Sequence, residues 1–192
     1  MRALWPRLEA AARGAALGTG TDVDWEIIHG NNPTLPLESL QRVMDAKLRQ
    51  LEPIEYTAAE LAWAETIRES FGDDAPDQAQ SREVEEYAVL TGYGSTDVGD
   101  VSRAVPTVSV RAATWVPGTA AHSWQAVAAS GHSYGTKGTQ HAAKAMMLAA
   151  VELYTNPQLR EEAKAEFIAA RGEDYVYESL LGDRAPPLDY RR

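Results

Sequence analysis

Cysteine is absent from the 192-residue chain. Disulfide staples, thiolate metal sites and cysteine nucleophiles are thereby excluded, and a reducing, cytoplasmic setting is expected. Basic charge is scarce too: 18 Lys and Arg face 28 Asp and Glu, a formal net charge of −10. Such a surface is ill suited to nucleic acid, whose phosphates need a clustered basic face. The longest basic feature is the terminal Arg191-Arg192. No apolar run reaches the roughly 18–20 residues of a membrane span. The first nine residues lack the continuous apolar core of a signal peptide. What remains suits a globule, since 44% hydrophobic residues can build a core and 24% charge is ordinary. The length fits one domain, or one domain with part of another.

Three blocks follow along the chain. In the first, Leu4, Leu8, Ala11, Ala12, Ala15 and Ala16 recur at helical spacing until Gly18-Thr-Gly20 stops them. Asp24 to Ile28 alternates like a short strand, and Asn31-Asn-Pro33 turns it. Leu40, Val43, Met44, Leu48 and Leu51 then form one stripe of a helix from Leu37 to Leu51. The second block opens at Thr57 with Glu60 three residues on, a capping box. Its helix runs through Leu61, Ala64, Ile67, Arg68 and Phe71 to Gly72. Residues 73–80 read as an acidic loop, and 84–93 as a weak strand carrying Glu85-Glu86. In the third block, Pro106 to Val116 alternates as the best strand. Thr136 to Tyr154 is apolar nearly all round, the mark of a helix buried on most sides. An amphipathic helix follows from Gln158 to Arg171.

Proton-handling and metal-capable residues concentrate at the two ends of the Pro106–Val116 run. Gly94-Ser-Thr-Asp-Val-Gly-Asp-Val-Ser102 precedes it and Ala121-His-Ser-Trp-Gln125 follows it, at strand ends where chemistry collects in sheet proteins. His122 is a candidate metal ligand, set against the plainer reading of a satisfied polar residue. Asp97 and Asp100 fit either turn chemistry or carboxylates that orient a ligating histidine. Glu85-Glu86 and Glu161-Glu162 read as solvated faces. Gly131-His-Ser-Tyr-Gly135 has the form of a nucleophile elbow around Ser133. Its order is wrong for a hydrolase triad, because the only later histidine, His141, lies inside the apolar helix with no carboxylate between. Its glycines are better suited to close backbone packing at a helix entrance.

The Gly94–Ser102 motif, Pro106-Thr107, Gly118-Thr119, His122-Ser-Trp-Gln125 and Gly135-Thr-Lys-Gly138 leading into Ala142-Ala-Lys144 together resemble the C-terminal half of the M20 metallopeptidase and amidohydrolase family, in its aminobenzoyl-glutamate branch. Ala11 to Gly20 is similar to the end of that family's lid domain. The resemblance implies an α/β fold: residues 55–192 as the C-terminal part of a catalytic domain with a sheet flanked by helices, and 1–54 as the tail of an α+β lid that dimerises. It implies amide hydrolysis of N-acyl amino acids, aminobenzoyl-glutamate-like, with a divalent metal ion, zinc or manganese, in a homodimer. His122 maps onto the family's late metal ligand. Asp97 maps onto a conserved aspartate, and Ser95 and Asp100 are assigned supporting, site-shaping roles.

The departures are as informative. The family's other ligands and general base lie in its N-terminal half, around a His-x-Asp motif, and none of the four histidines here has aspartate two places on. Arg103 stands where tryptophan is expected and Thr136 where relatives often carry histidine. The expectation is therefore a C-terminal segment, inactive alone, with no catalytic residue of its own. A noncatalytic partner or remnant of the same fold is the alternative, and a serine esterase using Ser133 the lesser one. Uncovered apolar faces of such a segment are expected to make it poorly soluble or oligomeric.

Overall fold

A computed structural model of the chain describes residues 3–72, 75–89, 92, 94–183, 185 and 188. Its regular elements are the helices α1 (Trp5–Thr19), α2 (Glu38–Arg49), α3 (Ala58–Arg68), α4 (Val98–Ala104), α5 (Trp124–Ser130), α6 (Ser133–Thr155) and α7 (Pro157–Arg171). Single tight turns of 3₁₀ helix add Glu69–Phe71 and Gln78–Arg82. Two compact units result, one of residues 1–31 with 178–192 and one of 32–177.

In the first unit, Pro6 pre-sets the opening turn of α1 and Gly20, at φ 67°, closes it in the left-handed region. The indole N–H groups of Trp5 and Trp25 both donate to Glu9 Oε1, at 2.7 and 2.9 Å. The Arg13 guanidinium lies 4.5 Å from the Trp25 ring centre. The helical period of α1 is as expected, yet the helix buries none of its residues.

The second unit holds the core. α2 packs on α6 and α7, while α3 and α5 pack on α6. Leu35, Leu37 and Leu40 meet Ala163 and Phe167 in one cluster, and Met44 meets Ala145 and Ala149 in another. Leu37 is fully buried, a contribution of roughly 1.5–3 kcal/mol. As N-cap of α2 it has no side-chain oxygen to offer. Glu166 of α7 supplies one instead, accepting from the N–H groups of Glu38 and Ser39 at 2.6 and 3.0 Å and from the Ser39 hydroxyl. Orphan donors at a helix start are thus satisfied by a neighbouring helix.

The expected α/β architecture is corrected. No strand forms among the described residues, neither in a catalytic sheet nor at residues 24–28 or 84–89; 90, 91 and 93 lie outside the described residues. Period-two alternation runs through 106–116, but a strand also requires a hydrogen-bonded neighbour; the segment is irregular, and no backbone ladder reaches it among the described residues. It lies instead against α6. A Cβ on Gly138 would stand 2.0 Å from the Ala113 carbonyl oxygen, and one on Gly135 would stand 2.8 Å from that of Thr114. Only glycine permits backbone to lie on backbone so closely.

A second correction concerns α6 itself. Its buried residues are Tyr134, Gly135, Gly138, Ala145 and Ala149, which fall on one side. Met146, Met147, Val151 and Tyr154 are exposed. The helix is apolar on its open side as well as its packed one.

Candidate functional site

The Gly94–Ser102 motif folds mostly as α4 rather than as a loop, and its composition serves that helix's seat. Gly99 lies so close to the 32–33 backbone that a Cβ would meet Asn32 O at 1.8 Å. Ser102 is fully buried, accepting from the Leu35 N–H at 2.9 Å and donating to Gly99 O at 2.7 Å. Asp100 accepts from Asn32 Nδ2 at 2.7 Å and from the Tyr177 hydroxyl at 3.2 Å. Asp97 and Ser95 are exposed, and Asp97 makes no cap to the helix it precedes. The motif clamps residues 32–35; three of its polar and small residues are used for that.

His122 sits elsewhere, in the turn before α5. It is the non-glycine residue with positive φ among those described, at 60°, a conformation histidine visits more than most but one that stores strain. Ser123 follows as N-cap, its Oγ accepting from the Ala126 N–H at 3.2 Å. The imidazole is exposed and lines an open hollow with Trp124, Val127 and Ser130. No hydrogen bond joins it to Asp97, Asp100 or Ser95, and no group of three His, Asp or Glu able to hold a metal gathers among the described residues. Replacing His122 by glycine should relieve the left-handed backbone. Thermal unfolding is expected to show stability unchanged or raised by up to about 1 kcal/mol, whereas a loss above that would give the side chain a structural role.

A constellation not expected from the sequence forms around Glu60. This carboxylate is 6% exposed. Its Oε2 accepts from the Thr57 N–H at 2.7 Å and from Lys137 Nζ at 2.6 Å, and its Oε1 from the Ser133 hydroxyl at 2.7 Å. The Lys137 ammonium, the Thr57 amide and Ser133 hold its pKa down at about 2 despite burial. Beside it, Tyr56 and Tyr134 stack at 4.2 Å and Trp63 stacks on His132 at 4.0 Å. Burial pushes the Tyr56 phenol up, so it stays neutral.

This arrangement disposes of the apparent elbow. The Ser133 hydroxyl donates to a buried carboxylate. His132 is engaged as the cap of α6, its Nδ1 accepting from the Tyr134 N–H at 3.2 Å. His141 lies within α6, its pKa lowered by burial and then by Lys144. Neither imidazole is hydrogen-bonded to Ser133 as a general base would be. The capping box at Thr57 and Glu60 was legible, and Ser133 and Lys137 share a face at i, i+4. That these two ends meet was not legible, because 73 and 77 residues separate the partners.

In sequence the chain is similar to one component of a hydrolase. That relative is a p-aminobenzoyl-glutamate hydrolase subunit of Escherichia coli (strain K12), 28% identical over 188 residues, which take in 85% of this chain. The chain spans 39% of the relative's length. No protein-family model and no solved structure matches the chain. The resemblance read from Gly94–Ser102, His122–Gln125 and Gly135–Lys144 is borne out by this similarity. No described helix is long and apolar enough to cross a membrane.

Proposed function

We propose that this chain is part of a metal-dependent amidohydrolase cleaving N-acyl amino acids of the aminobenzoyl-glutamate kind, with His122 as one of the metal ligands. The observation that carries the reading is the 28% identity over 188 residues to a hydrolase subunit. The exposed imidazole, held outward by its turn, fits one position on a divalent ion such as zinc or manganese. It does not make a site by itself, since catalytic zinc takes three protein ligands. The other ligands and the general base belong, on this reading, to sequence beyond the matched 39% of the relative. A bound ion supplies Lewis acidity toward the substrate's amide oxygen. This chain's residues contribute one orienting ligand and the scaffold beneath it. Of the carboxylates before the Pro106–Val116 run, Asp100 supports the fold by tying α4 to Asn32 and Tyr177, and Asp97 and Ser95 are assigned no ligand role. The relative's name as a subunit supports assembly with other chains, and a homodimer is the arrangement proposed.

Steady-state cleavage of p-aminobenzoyl-glutamate by the complete gene product tests this. His122→Ala is expected to lower kcat/KM by about a hundredfold or more, since removing even an outer-shell partner costs 10–100-fold. Ser133→Ala should lower it by no more than its effect on folded fraction. Full activity in His122→Ala would sink the reading. A complete product with neither activity nor metal would favour a noncatalytic remnant.

A further inference from the structure

Helix α5 has two unlike faces. Ala126 and Ala129 are buried on one, while Trp124, 61% exposed, and Val127, 74% exposed, stand on the other. Spacing of three residues sets Trp124, Val127 and Ser130 along one ridge, and that ridge lines the same hollow as His122. Both serine hydroxyls of the wall are engaged with backbone: Ser123 Oγ donates to Ala120 O and Ser130 Oγ to Ala126 O. The surface left beside the imidazole is therefore indole and isopropyl. No Lys, Arg, Asp or Glu lines the hollow among the described residues. Of the five tryptophans, Trp124 is the most exposed. Trp5 and Trp25 give their indole N–H groups to Glu9, and Trp63 stacks on His132. The Trp124 ring has no hydrogen bond, stacking partner or cation of its own among the described residues.

We propose that Trp124, with Val127, is a specificity-determining surface that receives an aromatic acyl group of the substrate, a proposal that rests on the reading of His122 as a metal ligand. An N-aroyl amino acid has two unlike ends. The amino-acid end carries carboxylates, which call for Arg or Lys, and this hollow holds neither. The aroyl end is an uncharged ring, and an open indole face is the complementary surface for it. Position agrees with chemistry. The ring is bonded to the carbonyl carbon that is attacked, so it must lie beside the ligand, and Trp124 is two residues on from His122 at the mouth of the same hollow. The amino-acid end is then held by cations outside this hollow.

Two measurements on the complete gene product test this. In the first, cleavage of p-aminobenzoyl-glutamate is compared with that of N-acetyl-glutamate. Trp124→Ala is expected to lower the ratio of the two kcat/KM values by about tenfold or more, and Trp124→Phe to recover most of it. Both variants keep the fold, as circular dichroism would verify, because the side chain is exposed. In the second, 5-fluorotryptophan is incorporated and the fluorine resonance that Trp124→Phe removes is followed. It should shift saturably with p-aminobenzoate and stay in place with glutamate. An unchanged ratio in Trp124→Ala, or a Trp124 resonance indifferent to p-aminobenzoate, overturns the proposal alone when His122→Ala has lost its metal. Full metal content and activity in His122→Ala overturns the ligand reading and this proposal with it.

Discussion

Gly138→Ala is expected to cost about 3 kcal/mol or more. In an exposed helix the same change gains about 1 kcal/mol, because alanine is the better helix former. Here the added methyl would lie 2.0 Å from the Ala113 carbonyl oxygen and 2.7 Å from its carbon. Those atoms are backbone, so relief requires the segment around Ala113 to lift from α6. That would uncover Val116, which is buried against Ala64, Ile67 and Tyr134. Gly131→Ala is the internal control. Its Cβ would meet nothing nearer than 3.8 Å, and its backbone is right-handed helical, so stability should rise by about 0.4–1 kcal/mol. Denaturant midpoints with unchanged slopes would report both. A loss below about 1 kcal/mol at Gly138 would mean that the segment is not seated as described.

Glu60→Ala is expected to cost about 1–3 kcal/mol, the range for leaving buried hydrogen-bonding partners unsatisfied, since Lys137 is half-buried and can return to water. The loss comes from stranding Ser133 and the Thr57 amide together, and with them the junction of α3 and α6. Acid supplies a gentler version of the same experiment. The folded-state pKa of Glu60 is depressed to about 2 from 4.5. The unfolded chain therefore binds the proton more readily than the native one. Its stabilising contribution is present in full above pH of about 4.5 and is lost as pH falls toward 2. Glu60→Gln removes the titration, so the variant should be less stable at neutral pH and should lose less on acidification across that window. Parallel acid limbs in the two proteins would show that Glu60 does not carry this dependence.

What the sequence made legible was helical periodicity. Leu40 and Met44 at i, i+4 marked α2, and both are buried. The Thr57 and Glu60 box marked the start of α3, and the cap forms as expected. Tertiary partners were not legible. Alternation at Val108 and Val110 encodes an extended backbone, but no local pattern says whether a neighbouring strand exists to pair with it. The nearly uniform apolarity of α6 implies burial on most sides, although Met147 and Val151 are exposed. Apolar composition permits burial and does not compel it. The same limit applied to the candidate site. The Gly94–Ser102 motif stood out with Asp97, Ser95 and Asp100 as its candidates, whereas Gly99, Asp100 and Ser102 are the residues that form a tight seat for residues 32–35. His122 was singled out by motif, but its left-handed backbone could not be read from its neighbours. The Glu60 constellation joins an element near residue 60 to one near 135, and only folding brings them together.

The most direct test of the account is the metal content of the complete gene product purified with and without its late histidine. Elemental analysis of the wild type is expected to return a stoichiometric divalent ion, with His122→Ala retaining a small fraction of it. His141→Ala, altered within α6, should retain the wild-type content. Undiminished metal in His122→Ala, in a protein that remains folded, would contradict the assignment of this imidazole as a ligand.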